Sequence, residues 1–350
     1  VEDPCLLQRR NQLDPLVWAG RILRETGHKT EGGFQQIHKR PWSEVYRIKT
    51  DAAFFYIKVC GKAFAFEPRL TSLLSETWRD RMPEVLDFEG SRGWFLYRDQ
   101  GKTLREAWKE KGYSGKEYLL SQWKRIIPLY VEVQRWSVEK LPELLSCGVP
   151  DRRFSGLFKQ IREIIQDPPG FLFCKDSEFT REDRLELEKI LPFFEERALK
   201  MEKEGLPVAL YNEDFHDANI FLDKEKIILA DWGESSLANP LCTLTVFLRS
   251  AAYWLELKEE DPVILELRDL YLEQWSGFIS LSQLKDDFKT AYIYGMLCRA
   301  LTWYRMIESC LTEPEEEREK TGFEEYLGAP GGWLKEFLNF YKNYCNVQEW

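Results

Sequence analysis

Apolar positions recur at helical spacing from Leu13 to Thr26 (Leu13, Leu16, Val17, Ala19, Ile22 and Leu23), and Gly27 stands where a helix cap belongs. The period then shortens to two. Phe34–His38, Glu44–Lys49 and Ala53–Val59 alternate, joined by Arg40-Pro41-Trp42-Ser43 and Thr50-Asp51-Ala52, which predicts an antiparallel meander of three strands. A helix is expected from about Glu67 to Ser75, with Pro68 tolerated in its first turn, and two further strands at Val85–Asp87 and Trp94–Tyr97. Arg98-Asp99-Gln100-Gly101-Lys102 breaks the pattern. From Leu104 onward long helical periods dominate: Tyr118–Trp136, Arg184–Leu199, Leu241–Leu257, Ile264–Phe278 and Asp286–Ile307. One β-rich island interrupts them, at Val208–Leu210, Ile220–Leu222 and Ile227–Ala230. The layout predicts an α+β protein of two lobes. Residues 1–98 are expected to form a small lobe with a five-stranded antiparallel sheet and a helix, and residues 99–350 a large, mainly helical one. A cleft between two such lobes is a natural ligand site.

Composition narrows the function. The 350 residues are 44% hydrophobic and 14% aromatic, enough for a sizeable core. No apolar run approaches the ~18–20 residues of a membrane span, and Val1-Glu2-Asp3-Pro4 lacks the basic-then-apolar pattern of a signal peptide, so a soluble cytoplasmic protein is expected. Eight cysteines are scattered without a CxxC pair and read as reduced thiols. Three histidines (His28, His38, His216) cannot build a multi-histidine zinc site, and no GxSxG elbow is present. The net charge of −10 argues against broad nucleic-acid binding. It suits a cationic small substrate, or simply solubility.

The island carries the chemistry. It contains Tyr211-Asn212-Glu213-Asp214-Phe215-His216-Asp217-Ala218-Asn219-Ile220, and twelve residues past Asn219 comes Asp231-Trp232-Gly233-Glu234. Asp-x-x-x-x-Asn alone has on the order of one chance match in a chain this long. Here it is followed by Ile220-Phe221-Leu222, a turn over Asp223–Lys226, Ile227–Ala230, and then a carboxylate. A hairpin brings its two ends together, so Asn219 and Asp231 can reach one ion, and both offer the hard oxygen that Mg²⁺ prefers. Asp214, near the start of the loop, can accept or orient a hydroxyl proton. Phosphoryl transfer needs this arrangement, because positioning and charge neutralisation dominate its catalysis. An ordinary hairpin with polar loops is the alternative. Upstream, Lys58 is the lone charge in Phe55-Tyr56-Ile57-Lys58-Val59, and Glu67 follows at a helix start. Their order matches the strand lysine and helix glutamate of a kinase-like fold.

Asn212–Asn219 resembles the HGDxHxxN loop of the aminoglycoside phosphotransferase and choline kinase superfamily, and Asp231-Trp232-Gly233-Glu234 resembles its IDWxD metal motif. The likeness continues through Arg40-Pro41-Trp42-Ser43, Tyr56-Ile57-Lys58, Phe66-Glu67-Pro68, Gly93-Trp94-Phe95-Leu96-Tyr97-Arg98-Asp99 and Ala238-Asn239-Pro240-Leu241. It spans roughly residues 15–255 and is similar to an uncharacterised bacterial branch. The resemblance implies a bilobal protein-kinase-like fold and an ATP- and Mg²⁺-dependent kinase acting on a hydroxyl of an aminoglycoside-like molecule, an amino alcohol or a sugar. It implies Asp214 as base, Asn219 and Asp231 as Mg²⁺ ligands, and Lys58 with Glu67 as the phosphate-positioning pair. Tyr97, Arg98, Asp99 and Gln100 would form the adenine-binding hinge, and Ser43 would sit over the phosphates. The chain departs from the pattern at Asn212, Glu213, Arg98 and Thr243. A nucleotide-binding pseudokinase with a regulatory or scaffold role is therefore the second reading.

Other residues keep two readings. His216 shapes the loop or moves a proton, Asp217 lines the substrate entrance or shapes the loop, and Glu234 supports the metal or faces solvent. Tyr253, Trp254, Glu256, Trp303, Tyr304 and Glu308 can supply an aromatic-carboxylate box for a cation, or helix packing. The Glu313–Glu325 run is expected to be exposed and partly mobile. Only eight residues separate Asp231 from Pro240 in the relevant stretch, which leaves no room for a peptide-docking activation segment.

Overall fold

Asp14 starts the first helix by accepting hydrogen bonds from the amides of Leu16 (2.7 Å) and Val17 (3.2 Å), with Pro15 in the first turn. The computed structural model describes residues 14–112, 115–223 and 226–346. Val1–Pro4, Cys5, Leu13, Lys224, Glu225 and Trp350 lie outside the described residues.

In chain order the elements are α1 (Pro15–Glu25), β1 (Gln35–Arg40), β2 (Ser43–Lys49), β3 (Phe54–Cys60), α2 (Glu67–Thr77), β4 (Val85–Glu89) and β5 (Trp94–Arg98). Then come α3 (Leu104–Lys109), α4 (Gly115–Ser137), α5 (Leu141–Cys147), α6 (Phe154–Ile164), α7 (Arg181–Glu204) and β6 (Ala209–Asn212). They are followed by β7 (Ile220–Asp223), β8 (Lys226–Leu229), β9 (Ser235–Ala238), α8 (Leu244–Leu255) and α9 (Pro262–Glu273). The last are α10 (Leu281–Cys310), α11 (Glu315–Glu319) and α12 (Ala329–Asn346).

The chain folds as two units. The first takes in the chain up to Gly101, then Leu222–Gly233 and Ser309–Phe323; the second holds Lys102–Phe221, Glu234–Glu308 and the chain from Glu324. In the first unit β1 to β5 form one antiparallel sheet in the order β1-β2-β3-β5-β4. Ile48, Phe55, Ile57 and Leu96 pack with Ala19, Ile22 and Leu23 of α1 as its core. Successive strand residues face opposite sides, so turning Phe55 and Ile57 toward α1 turns Lys58 to the other face. The β8 end of the hairpin is tied to this unit by the Leu229 amide, which donates to the Arg81 carbonyl (2.7 Å).

The second unit is helical around the short antiparallel pair β6–β9, in which Asn212 faces Ser235. Trp123, Ile126, Ile127 and Tyr130 of α4 are buried there, as is Ala291–Leu301 of α10. Among the described residues no helix is long and apolar enough to cross a membrane. The helices expected at Tyr118–Trp136, Arg184–Leu199 and Asp286–Ile307 extend a few residues beyond those bounds. Those expected at Leu241–Leu257 and Ile264–Phe278 end earlier, at Leu255 and Glu273, and α5, α6, α11, α12 and β9 are additional elements. Ser235-Ser236-Leu237-Ala238 has neither alternation nor branched residues, and it is a strand because β6 offers it backbone partners.

The acidic run is exposed as expected, and it also carries contacts that its composition does not reveal. Its side chains stay largely open to solvent, but Ser309–Phe323 is fastened to the sheet unit. Lys39 Nζ lies 2.9 Å from Glu317 Oε2, Lys62 Nζ donates to Thr312 Oγ1 (2.7 Å), and Cys310 Sγ contacts the Pro41 carbonyl (3.2 Å). Glu317→Lys sets two ammonium groups against each other. Limited proteolysis is expected to cut Ser309–Phe323 faster in this variant at unchanged far-UV circular dichroism; equal rates would show that the ion pair does not hold the segment.

Candidate active site

Lys58 on β3 meets two carboxylates within the first unit. Its Nζ is 2.8 Å from Glu67 Oε1 and 2.7 Å from Asp231 Oδ1, and its side chain is only 13% exposed. Glu67 sits in the first turn of α2, where the helix dipole favours a carboxylate, and its Oε2 accepts from Cys60 Sγ (3.2 Å). Burial works against the charged form of Lys58, but Asp231 and Glu67 outweigh it and hold its pKa well above the ordinary lysine value. Burial pushes the Glu67 carboxyl up, Lys58 opposes this and Asp231 adds to it. One ammonium between two carboxylates leaves the cluster net negative and able to take a further cation.

The turn that delivers Asp231 is sterically specified. Asp231 itself has φ +55°, a left-handed backbone that aspartate tolerates better than most residues. Trp232 is buried and its indole donates to the Leu229 carbonyl (3.0 Å). A Cβ at Gly233 would stand 2.7 Å from Glu67 Oε2. The glycine is there because the Glu67 carboxylate occupies the space a side chain would need.

Ser43 is buried at the start of β2, opposite Cys60, and lines a cavity of about 260 Å³ together with Lys39, Arg40 and Lys62. Tyr97 stacks on Tyr56 and Phe95 at centroid distances of 5.8 and 5.1 Å. The amides of Arg98 and Asp99 donate to the carbonyls of Glu84 and Phe54 (both 3.0 Å). The Gln100 side chain donates to the Arg98 carbonyl.

In the second unit the loop after β6 is held from several sides. The Asn212 amide donates to the Tyr130 hydroxyl (3.0 Å), which shares a hydrogen bond with Thr243 Oγ1 (3.1 Å). Gln134 Nε2 donates to Thr243 Oγ1 (3.2 Å) and to the Leu210 carbonyl (3.1 Å). Asn212 Oδ1 accepts from the Asp214 amide (2.9 Å), and the buried Glu213 accepts from Ser236 Oγ (2.8 Å). Phe215 stacks on Tyr130 at 3.9 Å. The positions that depart from the family pattern, Asn212, Glu213 and Thr243, each have their own hydrogen-bond partner.

Asp214 is the most heavily engaged residue of the loop. Its Oδ2 accepts from Asn219 Nδ2 (3.2 Å) and lies 3.1 Å from His216 Nε2; its Oδ1 is 3.4 Å from the Arg299 guanidinium. Burial raises its pKa, but Arg299 and His216 overcome this and hold the carboxyl well below the usual range. His216 Nδ1 accepts from the Ala218 amide (3.1 Å), so the ring proton sits on Nε2 and points at Asp214. Asp217 is buried under a two-point pair with Arg105 (2.9 Å twice). Glu234 is ion-paired with Arg299 and does not face solvent alone.

Arg299 escaped the sequence reading. It is buried in α10, and Glu234, Asp214 and Glu213 outweigh the cost of its burial and raise its pKa. Its signal is the one that marks Lys58: a single charge inside an apolar run, Tyr294-Gly295-Met296-Leu297-Cys298-Arg299-Ala300-Leu301. The proposed aromatic box does not assemble. Trp254 lies under Arg105 and Lys109 (4.6 and 4.3 Å), Glu256 pairs with Lys116, Trp303 stacks on Tyr326, and Tyr304 packs at a tilt against Phe171. Of that set only Tyr253 lines the second unit's cavity of about 710 Å³, which Asp214 and Arg299 also line.

No protein-family profile matches the chain, and no curated protein does. Solved structures do match in fold. A choline kinase from Cryptosporidium parvum Iowa II aligns with a TM-score of 0.60 at 12% identity over 95% of this chain and 97% of that one. An ethanolamine kinase from Plasmodium vivax aligns with a TM-score of 0.57 at 12% identity over 89% and 84%. A spectinomycin phosphotransferase in complex with ADP and spectinomycin aligns with a TM-score of 0.52 at 14% identity over 91% and 97%. At these identities the matches show the fold, which is the protein-kinase-like fold of choline/ethanolamine kinases and aminoglycoside phosphotransferases.

Two variants test the packing just described. Arg299→Met leaves Asp214 and Glu234 without their shared cation and is expected to destabilise the chain by about 3–5 kcal/mol in urea unfolding. A loss below about 1 kcal/mol would mean that the carboxylates find other partners. Gly233→Ala is expected to cost about 1–3 kcal/mol, because its methyl meets Glu67. Paired with Glu67→Gln the cost should persist, since the glutamine keeps the same bulk.

Proposed function

We propose that the chain is an ATP- and Mg²⁺-dependent phosphotransferase that moves a γ-phosphoryl group to a hydroxyl of a small molecule. The observation that carries the reading is the Lys58 ammonium, kept charged by Glu67 and Asp231 at 2.8 and 2.7 Å. A charged donor poised to lose one carboxylate partner to a cation is suited to bind the α- and β-phosphates of a nucleotide. In this reading Ser43 covers the phosphates, and the backbone of Tyr97, Arg98, Asp99 and Gln100 meets the adenine. The fold shared with choline, ethanolamine and spectinomycin kinases supports a small hydroxyl-bearing acceptor.

The donor set fits a hard divalent cation. Asn219 directs its Nδ2 to the Asp214 carbonyl (3.0 Å) and carboxylate, which makes Oδ1 its ligand atom. Asp231 is exposed and belongs to a net negative cluster, so Asn219 and Asp231 would hold the ion. Mg²⁺ bound there supplies neutralisation of the phosphate charge.

Asp214 receives the hydroxyl proton as the acceptor oxygen forms its bond to the γ-phosphorus. The bond from that phosphorus to the bridging oxygen breaks, and ADP leaves with its electron pair. A carboxylate held ionised by Arg299 and His216 is a weak base. That suits a loose transition state, in which orienting the hydroxyl matters more than early deprotonation. Asp217, through Arg105, and Glu234, through Arg299, act as positioning residues in this reading.

A coupled assay of ADP release over aminoglycosides, amino alcohols and sugars tests the proposal. Turnover should require Mg²⁺ and fall by about 10²–10⁴-fold in Asp214→Asn while ADP affinity is retained. Lys58→Met should raise the KM for ATP. Tight nucleotide binding with no turnover of any acceptor, and no difference between wild type and Asp214→Asn, would instead favour a non-catalytic nucleotide-binding protein.

A further inference from the structure

The cavity of about 710 Å³ in the second unit has a long axis marked by one helix. Lys289, Tyr292, Ile293 and Arg299 of α10 all line it, at spacings of three, four and ten residues that keep them on one face. Ten residues of α-helix advance roughly 15 Å. Arg299 marks the Asp214 end (3.4 Å), so Lys289 stands about that far along the helix from it.

The charges along the cavity are unequally engaged. Its lining carries the cations Arg249, Lys258, Lys289 and Arg299 and the carboxylates Asp214, Glu259 and Glu260. Arg299 is used by Asp214 and Glu234, and Arg249 pairs with Glu336 at 3.0 Å. Glu259 accepts a hydrogen bond from the Tyr292 hydroxyl. Among the described residues neither Lys258 nor Lys289 has an ion pair, although Lys289 is half-buried. A half-buried ammonium that makes no ion pair is open to an anion arriving with the ligand. Much of the remaining lining is apolar, with Val246, Leu257, Phe288, Ile293 and Phe340.

We propose that the acceptor is an elongated, largely apolar hydroxy acid, with its hydroxyl at Asp214 and its carboxylate at Lys289 and Lys258. The inference rests on the phosphotransferase reading and narrows it, because Lys258 and Lys289 are the cations of the lining that no ion pair among the described residues engages. Lys289 is then a specificity-determining residue at the far end of the cavity, away from the reacting atoms.

The test is calorimetric titration of the full chain with 12-hydroxydodecanoate, its methyl ester and 12-aminododecan-1-ol, at low salt and without nucleotide. The hydroxy acid is expected to bind at least about tenfold more tightly than either comparator. Lys258→Met combined with Lys289→Met should erase that preference while Mg-ADP affinity stays unchanged, and Lys289→Arg should preserve it. Equal or tighter binding of the amine, equal binding of the ester, or binding of none of the three overturns the proposal. Failure of the phosphotransferase reading gives a different pattern: the acid binds with the expected preference, but the wild-type chain has no affinity for Mg-ADP or Mg-ATP.

Discussion

A charge taken out of water must be met by an opposite charge, and both clusters of candidate residues are organised around that requirement. In the sheet unit the charge is the Lys58 ammonium, placed on the inner strand β3 with Glu67 and Asp231 as its counter-ions. In the helical unit it is the Arg299 guanidinium, shared by Asp214 and Glu234. The surrounding features follow from these pairs. Gly233 lacks a side chain because Glu67 needs the room, and Glu67 opens α2 because a helix N-terminus welcomes a carboxylate.

The loop from Asn212 to Asn219 is held in shape by a buried network of its own. Thr243 is uncharged, but it joins Tyr130 and Gln134 in a buried network that reaches the Asn212 amide and the Leu210 carbonyl. Such a network is costly when incomplete and rigidifying when satisfied. Phe215 adds an aromatic anchor against Tyr130 between Asp214, which meets Arg299, and His216, which meets Asp214. Asn212, Glu213 and Thr243 are therefore integrated into the structure.

Much of this was legible in the residues. The strand meander, the helix carrying Glu67 and the long helical periods follow from alternation and 3.6-residue spacing, which local sequence encodes. Lys58 was visible because a lone charge in an apolar strand needs a reason, and Arg299 carries the same mark. It went unread because a 30-residue helix with apolar residues on most faces hides the direction in which any one of them points. The acidic run at Glu313–Glu319 has the composition of a solvated segment, and only the sheet's own lysines reveal that it is fastened.

By itself, then, the sequence determined the class of fold, the order of its main elements and the candidate residues from Lys58 to Asp231, because periodicity and motif spacing are local properties. Tertiary structure alone decided which charges meet. Lys58 and Asp231 are 173 positions apart, and Asp214 and Arg299 are 85 apart. No local pattern specifies such a pairing; the packing of β3 against α1 and of α10 among its neighbours does. The cavity was decided the same way, since its lining comes from α8, the loop after it, α9, α10, α12 and the loop at Asp214, and its charges meet only once those elements are folded together.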